Sequence, residues 1–590
     1  MTTPTPTPAP TSAPAPVIGI VGLGSIGEAL LGALHTAGHH VVGVDTDLDV
    51  LTRLTRRLKA AGPTAVPGLE PVLSDDYTLL RGSDLVVEAV PEDWDVKCDV
   101  LARIHGVCPP GTPMISTTAG LPLARLAIAS GRPADLAALR LFTPPTAGAP
   151  AEPVHTSLTS PGAARAAHQL LEAARLTAVR VGARPAADAT ALVLNLLNRA
   201  AALYDTGYVS HHAIDTAMRL GCALPAGPLQ TLDAMGLDTA HASLTDLHRR
   251  TGDPSLIPAP VLSRMIDGGH LGRKTGRGFY TYDDTATPLP EHTPTPDPGA
   301  ARAVQQVGVL GSGTMARGIA EVTATAGHPT LLIARSADKA QAALGAITDS
   351  LVRAVRRGRI TPATRDQALA VLRTGTDAAA LSHCDLVIEA AAEDPRIKRD
   401  IFTALGRTCV PGTLLATTTS SLSVTDCAEA SRRPADVIGL HFFNPAPAMR
   451  LVEVAHTAHT SPAALATAHA FCHRLGKTPV HCPDRTGFIV NSLLFGYLGA
   501  ALDLLDRPGA DEHLIENTDT AVQQAYGYPM GPFSLLDTIG LDVSLAIQHR
   551  LHEHSPTTHQ PSKALTELVA AGLLGRKNRD GLRTTAHPTH

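Results

Sequence analysis

Apolar residues along this chain fall into two regimes, and the pair of regimes occurs twice. From residue 17, short unbroken apolar runs such as VIGIV at 17–21 and VVGV at 41–44 alternate with longer stretches of helical spacing. Runs of that length bounded by turn residues read as buried strands of a parallel sheet, and the stretches between them as crossover helices. From about residue 188 the strand signals stop and apolar positions recur at helical spacing. The same succession restarts near 305 and turns helical again from about 485. The prediction is an α/β domain followed by an all-α domain, repeated twice in tandem. The boundaries read as 17–184 and 185–284 for the first pair and 305–484 and 485–590 for the second. Residues 285–304 are rich in Pro and Thr and read as an extended linker. Residues 1–16, MTTPTPTPAPTSAPAP, read as a disordered tail.

The repeat is visible in the letters as well as in the pattern. DLVVEAVPEDWDVK at 84–97 matches DLVIEAAAEDPRIK at 385–398, and AMRLGCALPAGPLQTLDAMGLD at 217–238 matches AVQQAYGYPMGPFSLLDTIGLD at 521–542. The offset between halves is 289 at Gly22 and Gly311, and 301 from Glu92 and Glu393 to Thr190 and Asn491. It is 304 at Pro225 and Pro529. The first half therefore lacks 12 residues early on, and the second gains 3 later.

Composition narrows the partners. At 590 residues the chain needs several cores, and with 44 % hydrophobic but only 3 % aromatic residues those cores are Ala/Leu/Val-rich. A net charge of −5 without a long basic run argues against nucleic acid and against an anionic membrane. Eight scattered cysteines, none in C-x-x-C or at zinc spacing, argue for a reducing cytoplasm and against a disulfide framework or a metal site. No apolar stretch approaches the ~20 residues of a membrane span, and the N-terminus lacks the features of a secretory signal.

Two glycine-rich loops carry the first chemistry. In the first half, 17–21 leads into Gly22-x-Gly24-x-x-Gly27, a helical pattern, and a second strand that ends at Asp45. Strand, G-x-G-x-x-G, helix and a terminal acid make a dinucleotide-binding Rossmann fingerprint. The glycines let a pyrophosphate approach the helix start, and the acid takes a ribose 2′-OH. The second half keeps Gly311 and Gly313, puts Ala316 in the third position, and replaces the acid by Ala334 followed by Arg335 and Ser336. An Arg and a hydroxyl suit a 2′-phosphate. The first loop reads as NAD-like, and the second leans to NADP.

Oxidation of a secondary alcohol needs a base for the hydroxyl proton while hydride leaves for a nicotinamide. His441, in VIGLHFFNPAPAMRLVEV at 437–454, is the natural base, because an imidazole titrates near neutrality. The segments 437–443 and 451–455 read as short strands. Paired antiparallel about Pro447, they set His441 opposite Glu453, six residues either side, and the carboxylate would orient the ring. The other histidines lack such a setting; HEH at 552–554 reads as polar surface loop.

The second half resembles the L-3-hydroxyacyl-CoA dehydrogenases, including 3-hydroxybutyryl-CoA dehydrogenase. The likeness rests on GSGTMARGIA at 311–320, DLVIEAAAEDPRIK at 385–398, TTTSSLS at 417–423, GLHFFNPAPAMRLVEV at 439–454, GFIVNSLL at 487–494 and GYPMGPFSLLDTIGLD at 527–542. It covers about 305–577; the first half is similar over about 17–283. The resemblance implies a Rossmann domain with Thr314 and Met315 in its cofactor loop, and a helical domain that forms a dimer contact. It gives His441 and Glu453 the base and partner roles. It adds Ser420 and Asn491 as donors to the substrate oxygen, Asn444 as a substrate neighbour, and Glu393 and Lys398 near the nicotinamide ribose. By itself Lys398 reads as a solvated helix-face lysine. The basic stretch 337–372 reads as two helices about a turn at Gly358–Pro362. In the family such a hairpin binds CoA, which carries Ser350 and Arg357 over as substrate contacts. Thr418 departs from the Asn usual in the family.

The first half has lost this constellation. At the fixed offset His441 becomes Arg140, Ser420 becomes Ala119, Asn444 becomes Thr143 and Asn491 becomes Thr190. Arg cannot act as a base. Glu152 stands for Glu453, in a Pro-rich stretch that does not read as a strand, and the region after the second strand is too short for the hairpin. The expectation is an NAD(P)-dependent 3-hydroxyacyl-CoA dehydrogenase whose second half is active and whose first half is an inert internal partner, as in a dimer. Two rival readings stand beside it: a biosynthetic reductase of a carrier-bound or other β-keto intermediate, and a non-catalytic NAD-sensing or scaffold protein.

Overall fold

A computed structural model of the chain describes residues 16–60, 69–290, 295–507, 513–554 and 561–585. The tail predicted over 1–16 lies, but for residue 16, outside the described residues.

Each half carries one eight-stranded sheet, and the two sheets have the same order. In the first half the strands are β1 (Val17–Val21), β2 (His40–Val44), β3 (Val72–Ser74), β4 (Leu85–Glu88), β5 (Met114–Ser116), β6 (Leu136–Leu141), β7 (Pro150–Val154) and β8 (Thr177–Ala178). They lie in the order β3-β2-β1-β4-β5-β6-β7-β8. In the second half β9 (Val307–Leu310), β10 (Thr330–Ile333), β11 (Leu372–Gly375), β12 (Leu386–Glu389), β13 (Leu414–Thr417), β14 (Val437–Phe442), β15 (Leu451–His456) and β16 (Thr478–Pro483) repeat that order. The first six strands of each sheet are parallel, and the seventh runs antiparallel to the sixth. The central strands are buried on both faces, which is why they read as unbroken apolar runs. In both halves the chain order reverses beside the first strand, between β2 and β4 and between β10 and β12. That is where such sheets bind nucleotides.

One expectation about the first sheet fails. Residues 150–154 form a strand despite Pro150 and Pro153, and pair with β6 so that Arg140 faces Glu152. β8 covers β7 only at Pro150 and Ala151, so the rest of β7 has a neighbour on one side alone, where proline is tolerated. The stretch at 552–554 is also not loop: it ends the helix Leu541–His554, with Glu553 and His554 exposed.

Among the described residues the hairpin is present in the second half only. The helix Ala337–Arg356 starts on Ser336, whose side chain accepts from the Lys339 N–H at 3.4 Å; Pro362–Val371 starts on Thr361, which accepts from Thr364 at 3.1 Å. The first half has the helix Leu48–Ala60 here among the described residues.

The two helical domains share one hydrophobic core, with Leu196, Leu197 and Ala200 from the first and Leu493, Leu498 and Ala501 from the second. The long helices Ala183–Asp205 and Val490–Asp503 press together closely. A Cβ on Gly496 would lie 2.6 Å from Arg199 Nε. Each helical domain also reaches the other half's sheet. The helix His211–Gly221 packs on β15 and β16, and the Tyr208 O–H donates to the Pro483 carbonyl at 2.7 Å. Reciprocally, the helix Leu514–Tyr526 packs on β7. No helix among the described residues is long and apolar enough to cross a membrane.

Candidate active site

The nucleotide loops come first, because they lie at the reversal of strand order. Gly311 has φ +137°, and a Cβ there would come 2.4 Å from the Ala390 carbonyl oxygen, so only glycine fits. Gly313 caps the helix Thr314–Thr325 without any side-chain hydrogen bond, and a Cβ on it would meet nothing within 4 Å. The helix start therefore has free N–H groups and open space in front of them, which fits a dinucleotide pyrophosphate. Gly313 and Thr314 are exposed, Met315 is half-buried and Ala316 is buried. Arg335 is exposed past the end of β10, while Ser336 caps the next helix.

The first half keeps the same loop. Gly22 has φ +88°, Gly24 caps its helix without a side chain, and Gly27 lets the helix sit tight on the strand, since a Cβ would strike the Gly22 carbonyl oxygen at 1.8 Å. Asp45 accepts from the Leu23 N–H at 2.6 Å and the Asp47 N–H at 2.9 Å. Here, however, Gly24 and Ser25 are half-buried. The corner at Gly236 of the first helical domain lies against Ser25: a Cβ on Gly236 would be 3.0 Å from the Ser25 hydroxyl.

The histidine and its partner are built by β14 and β15. Their antiparallel register sets His441 directly across from Glu453. His441 Nδ1 lies 2.7 Å from Glu453 Oε2, and both side chains are buried. The other carboxylate oxygen accepts from the Ile489 and Val490 N–H groups at 3.0 and 2.9 Å, at the start of the helix Val490–Asp503. The helix terminus supplies two orphan donors, so Glu453 is held in place. Phe443 meets the imidazole edge-on with centroids 4.6 Å apart. The first helical domain closes the same corner: a Cβ on Gly221 would lie 3.0 Å from Leu451 and from Val490 and 3.5 Å from Phe443.

Ser420 lies in the loop after β13, gathered by Glu393. Glu393 Oε1 accepts from Thr419 Oγ1 at 2.7 Å, from the Ser420 N–H and hydroxyl at 2.9 and 3.2 Å, and from the Ser421 N–H at 3.2 Å. Burial pushes the Glu393 carboxyl up. The charge of Lys398 and these hydrogen bonds outweigh it and hold the group below its usual range. Asn491 Nδ2 donates to the Ser420 carbonyl at 3.2 Å, which ties the helical domain to this loop. Asn444 is exposed in the β14–β15 connection.

Lys398 is not a solvated lysine. It is buried, with Nζ 2.9 and 2.8 Å from the two Glu389 oxygens and 3.5 Å from Glu393, and Glu389 also accepts from Thr417 Oγ1 at 2.8 Å. In that position it reaches the Ser420 loop only by way of Glu393. On the hairpin, Ser350 bonds the buried Glu321 carboxyl and Arg357 is exposed. Two features escaped sequence reasoning. The clamp on Glu453 is made of backbone and has no residue signature. Arg550, from the helix Leu541–His554, donates to Ser421 Oγ at 2.6 Å and to the Glu393 carbonyl at 3.0 Å. Its replacement by Asp246 at the aligned position was the available signal.

In the first half the same frame holds different groups. Arg140 Nη1 pairs with Glu152 Oε2, and Glu152 Oε1 accepts from the Val181 and Gly182 N–H groups at 3.0 and 2.9 Å. Lys97 lies 2.7 Å from Glu88, as Lys398 does with Glu389. Thr190 accepts a 2.8 Å hydrogen bond from the Tyr526 hydroxyl of the second half, and Tyr526 packs edge-on against Phe142.

Fold and site together define a class: a dinucleotide-binding α/β domain with a carboxylate-held histidine beside a helical domain, duplicated in one chain. The chain belongs to the 3-hydroxyacyl-CoA dehydrogenase family, a family of oxidoreductases. The 3-hydroxyacyl-CoA dehydrogenase NAD binding domain matches residues 17–184 and 306–485. The 3-hydroxyacyl-CoA dehydrogenase C-terminal domain matches 189–282 and 487–585. Mitochondrial hydroxyacyl-coenzyme A dehydrogenase of Rattus norvegicus is 41% identical over 286 residues, covering 47% of this chain and 90% of that protein. The 3-hydroxybutyryl-CoA dehydrogenase of Mycobacterium tuberculosis is 41% identical over 285 residues, 48% of this chain and 99% of that protein. Among solved structures, M. tuberculosis FadB2 is similar at 39% identity over 49% of this chain and 100% of that one, with a TM-score of 0.47.

Proposed function

We propose that the second half, residues 305–484 with 485–590, oxidises (S)-3-hydroxyacyl-CoA to 3-oxoacyl-CoA, or runs the reverse reduction, with NAD or NADP. The observation that carries this reading is the buried His441–Glu453 pair with its carboxylate clamped by a helix start. Glu453 accepts the proton-bearing Nδ1 of His441, which leaves the Nε2 lone pair free to take the substrate hydroxyl proton. As the ring becomes cationic, the fixed carboxylate stabilises it. A bound nicotinamide would supply the hydride acceptor. Ser420 and Asn491 donate to the substrate oxygen as charge develops, each worth ~3–4 kcal/mol in comparable sites. Thr314 and the loop from Gly311 to Ala316 hold the pyrophosphate, Glu393 stands by the ribose, and the hairpin with Ser350 and Arg357 takes the CoA.

The first half, residues 17–184 with 185–284, is the structural partner in an internal pseudo-dimer. Its fingerprint is NAD-like, but the Gly236 corner of its own helical domain lies against Ser25, which is half-buried where its counterpart Thr314 is exposed. One dinucleotide per chain is therefore expected by calorimetry; two equivalents would refute this. The absence of a carboxylate after β10, with Ala334 in its place and Arg335 following, favours NADP and the reductive direction. That keeps reduction of another β-keto thioester as the second reading.

The test is oxidation of NADH or NADPH by the full chain in the presence of acetoacetyl-CoA. Turnover with either cofactor supports the reading, and no turnover with both overturns it.

A further inference from the structure

Arg550 is the one cation that the second helical domain directs at the Ser420 loop among the described residues. Its Nη1 donates to Ser421 Oγ at 2.6 Å and lies 3.9 Å from Glu393 Oε1; its Nη2 donates to the Glu393 backbone carbonyl at 3.0 Å. Those two segments, 393 and 420–421, frame Ser420 from both sides, and Glu393 itself gathers the Ser420 N–H and hydroxyl. A planar guanidinium can bridge two acceptors at fixed spacing, which an ammonium cannot.

The first half lacks both ends of this bridge. The positions of Arg550 and Ser421 are Asp246 and Gly120. Asp246 turns instead to its own helix, 2.6 Å from Arg249 and 2.8 Å from Arg250. In that half the helical domain meets the Rossmann domain elsewhere, at Gly236 over Ser25. The half that keeps the histidine, serine and asparagine is the half that has the arginine.

We propose that Arg550 is a positioning residue: a latch that holds the second helical domain on the Ser420–Glu393 loop and keeps the Ser420 donor in register with His441. It acts through Ser421 and Glu393. The proposal rests on the reading of the second half as the active dehydrogenase.

The experiment uses the full chain carrying Arg550→Ala, Arg550→Lys or Ser421→Ala, with acetoacetyl-CoA and whichever of NADH or NADPH the wild type uses. Arg550→Ala should lower kcat about 10- to 100-fold, the scale of a misplaced catalytic group. Dinucleotide affinity should change less than about threefold. Added guanidinium ion at millimolar concentration should restore part of the lost kcat, and Arg550→Lys should fall between. A purely structural role predicts none of that rescue. In parallel, amide hydrogen exchange at 418–424 should rise in Arg550→Ala, a reading that needs no turnover. Wild-type kcat, or unchanged exchange in that segment, overturns the latch. An inactive wild type with raised exchange in the variant overturns the dehydrogenase reading and leaves the latch standing. Should Arg550→Ala fail to fold, the same two readouts on Arg550→Lys and Ser421→Ala decide the matter.

Discussion

His441 and Arg140 occupy the same register position on the same strand, each opposite a glutamate that accepts from two backbone N–H groups, those of Ile489 and Val490 in the second half and those of Val181 and Gly182 in the first. What differs is the charge each glutamate faces. Glu453 meets a ring that can be neutral or cationic, so the pair can move a proton. Glu152 meets a guanidinium that is always cationic, so the pair is a fixed ion pair. Once the histidine is gone the carboxylate still has two backbone donors to satisfy, and a permanent cation keeps it from being buried alone. The first half thus pairs its buried glutamate with a permanent cation where the second half has a titratable ring.

The largest effect should come from deleting the reactive partner. His441→Ala is expected to cut turnover by about 10²–10⁴-fold with dinucleotide affinity unchanged. Adding Arg140→His to that variant should restore nothing, because Ala119 and Thr190 offer no matching donors and Tyr526 already occupies Thr190. Recovery of activity in the double variant, measured with acetoacetyl-CoA, would break the comparison. Next come the donors. Ser420→Ala and Asn491→Thr import the first half's residues into the second and should each cost about 10²–10³-fold in kcat. If either leaves kcat intact, that group does not touch the reacting oxygen.

How much of this was readable beforehand depends on what carries each feature. The tandem architecture was legible because it is written twice, in strands of unbroken apolar residues. The His441–Glu453 pairing was legible because side-chain direction and register follow from counting residues about Pro447. β7 was misread because proline weighs against a central strand, and its edge-like position cannot be counted from the sequence. Lys398 was misread for the opposite reason. A lysine on a helix defaults to solvent, and only the fold brings Glu389 beneath it. Arg550 and the backbone clamp on Glu453 join segments more than thirty residues apart, and no local pattern marks them.

A third prediction concerns stability and sits in the first half. Arg140→Ala leaves Glu152 buried at 8% side-chain exposure with its cation removed, which should destabilise the fold by about 3 kcal/mol. Denaturant unfolding reads this, and turnover per folded molecule should stay within about twofold. If turnover falls to nothing while the fold survives, the first half is not inert.

The smallest effect separates the halves at their edge strands. In the second sheet His481 on β16 stacks on His469 at 4.9 Å, and His469 meets His473 at 4.5 Å. Both His481 ring nitrogens are buried without a partner, and the aligned residue in the first half is Arg180. Burial, then the charges of His469, His456 and His473, lower the His481 pKa to about 4. The folded chain therefore keeps this ring neutral at pH 5, where the unfolded chain protonates it. Its contribution is present above pH ~6.5 and lost as pH falls towards 4, at no more than about 1.4 kcal/mol per pH unit. Asp215 and Asp233, raised to about 6 and about 7 chiefly by burial, act in the opposite sense. They are common to wild type and variant and cancel in the difference. His481→Leu should then flatten the loss of unfolding free energy between pH 7.5 and 5.0 by about 1 kcal/mol relative to wild type. Parallel curves for the two proteins would mean that the stacked histidines open to water on protonation, and that the edge of the second sheet is no more acid-sensitive than the edge of the first.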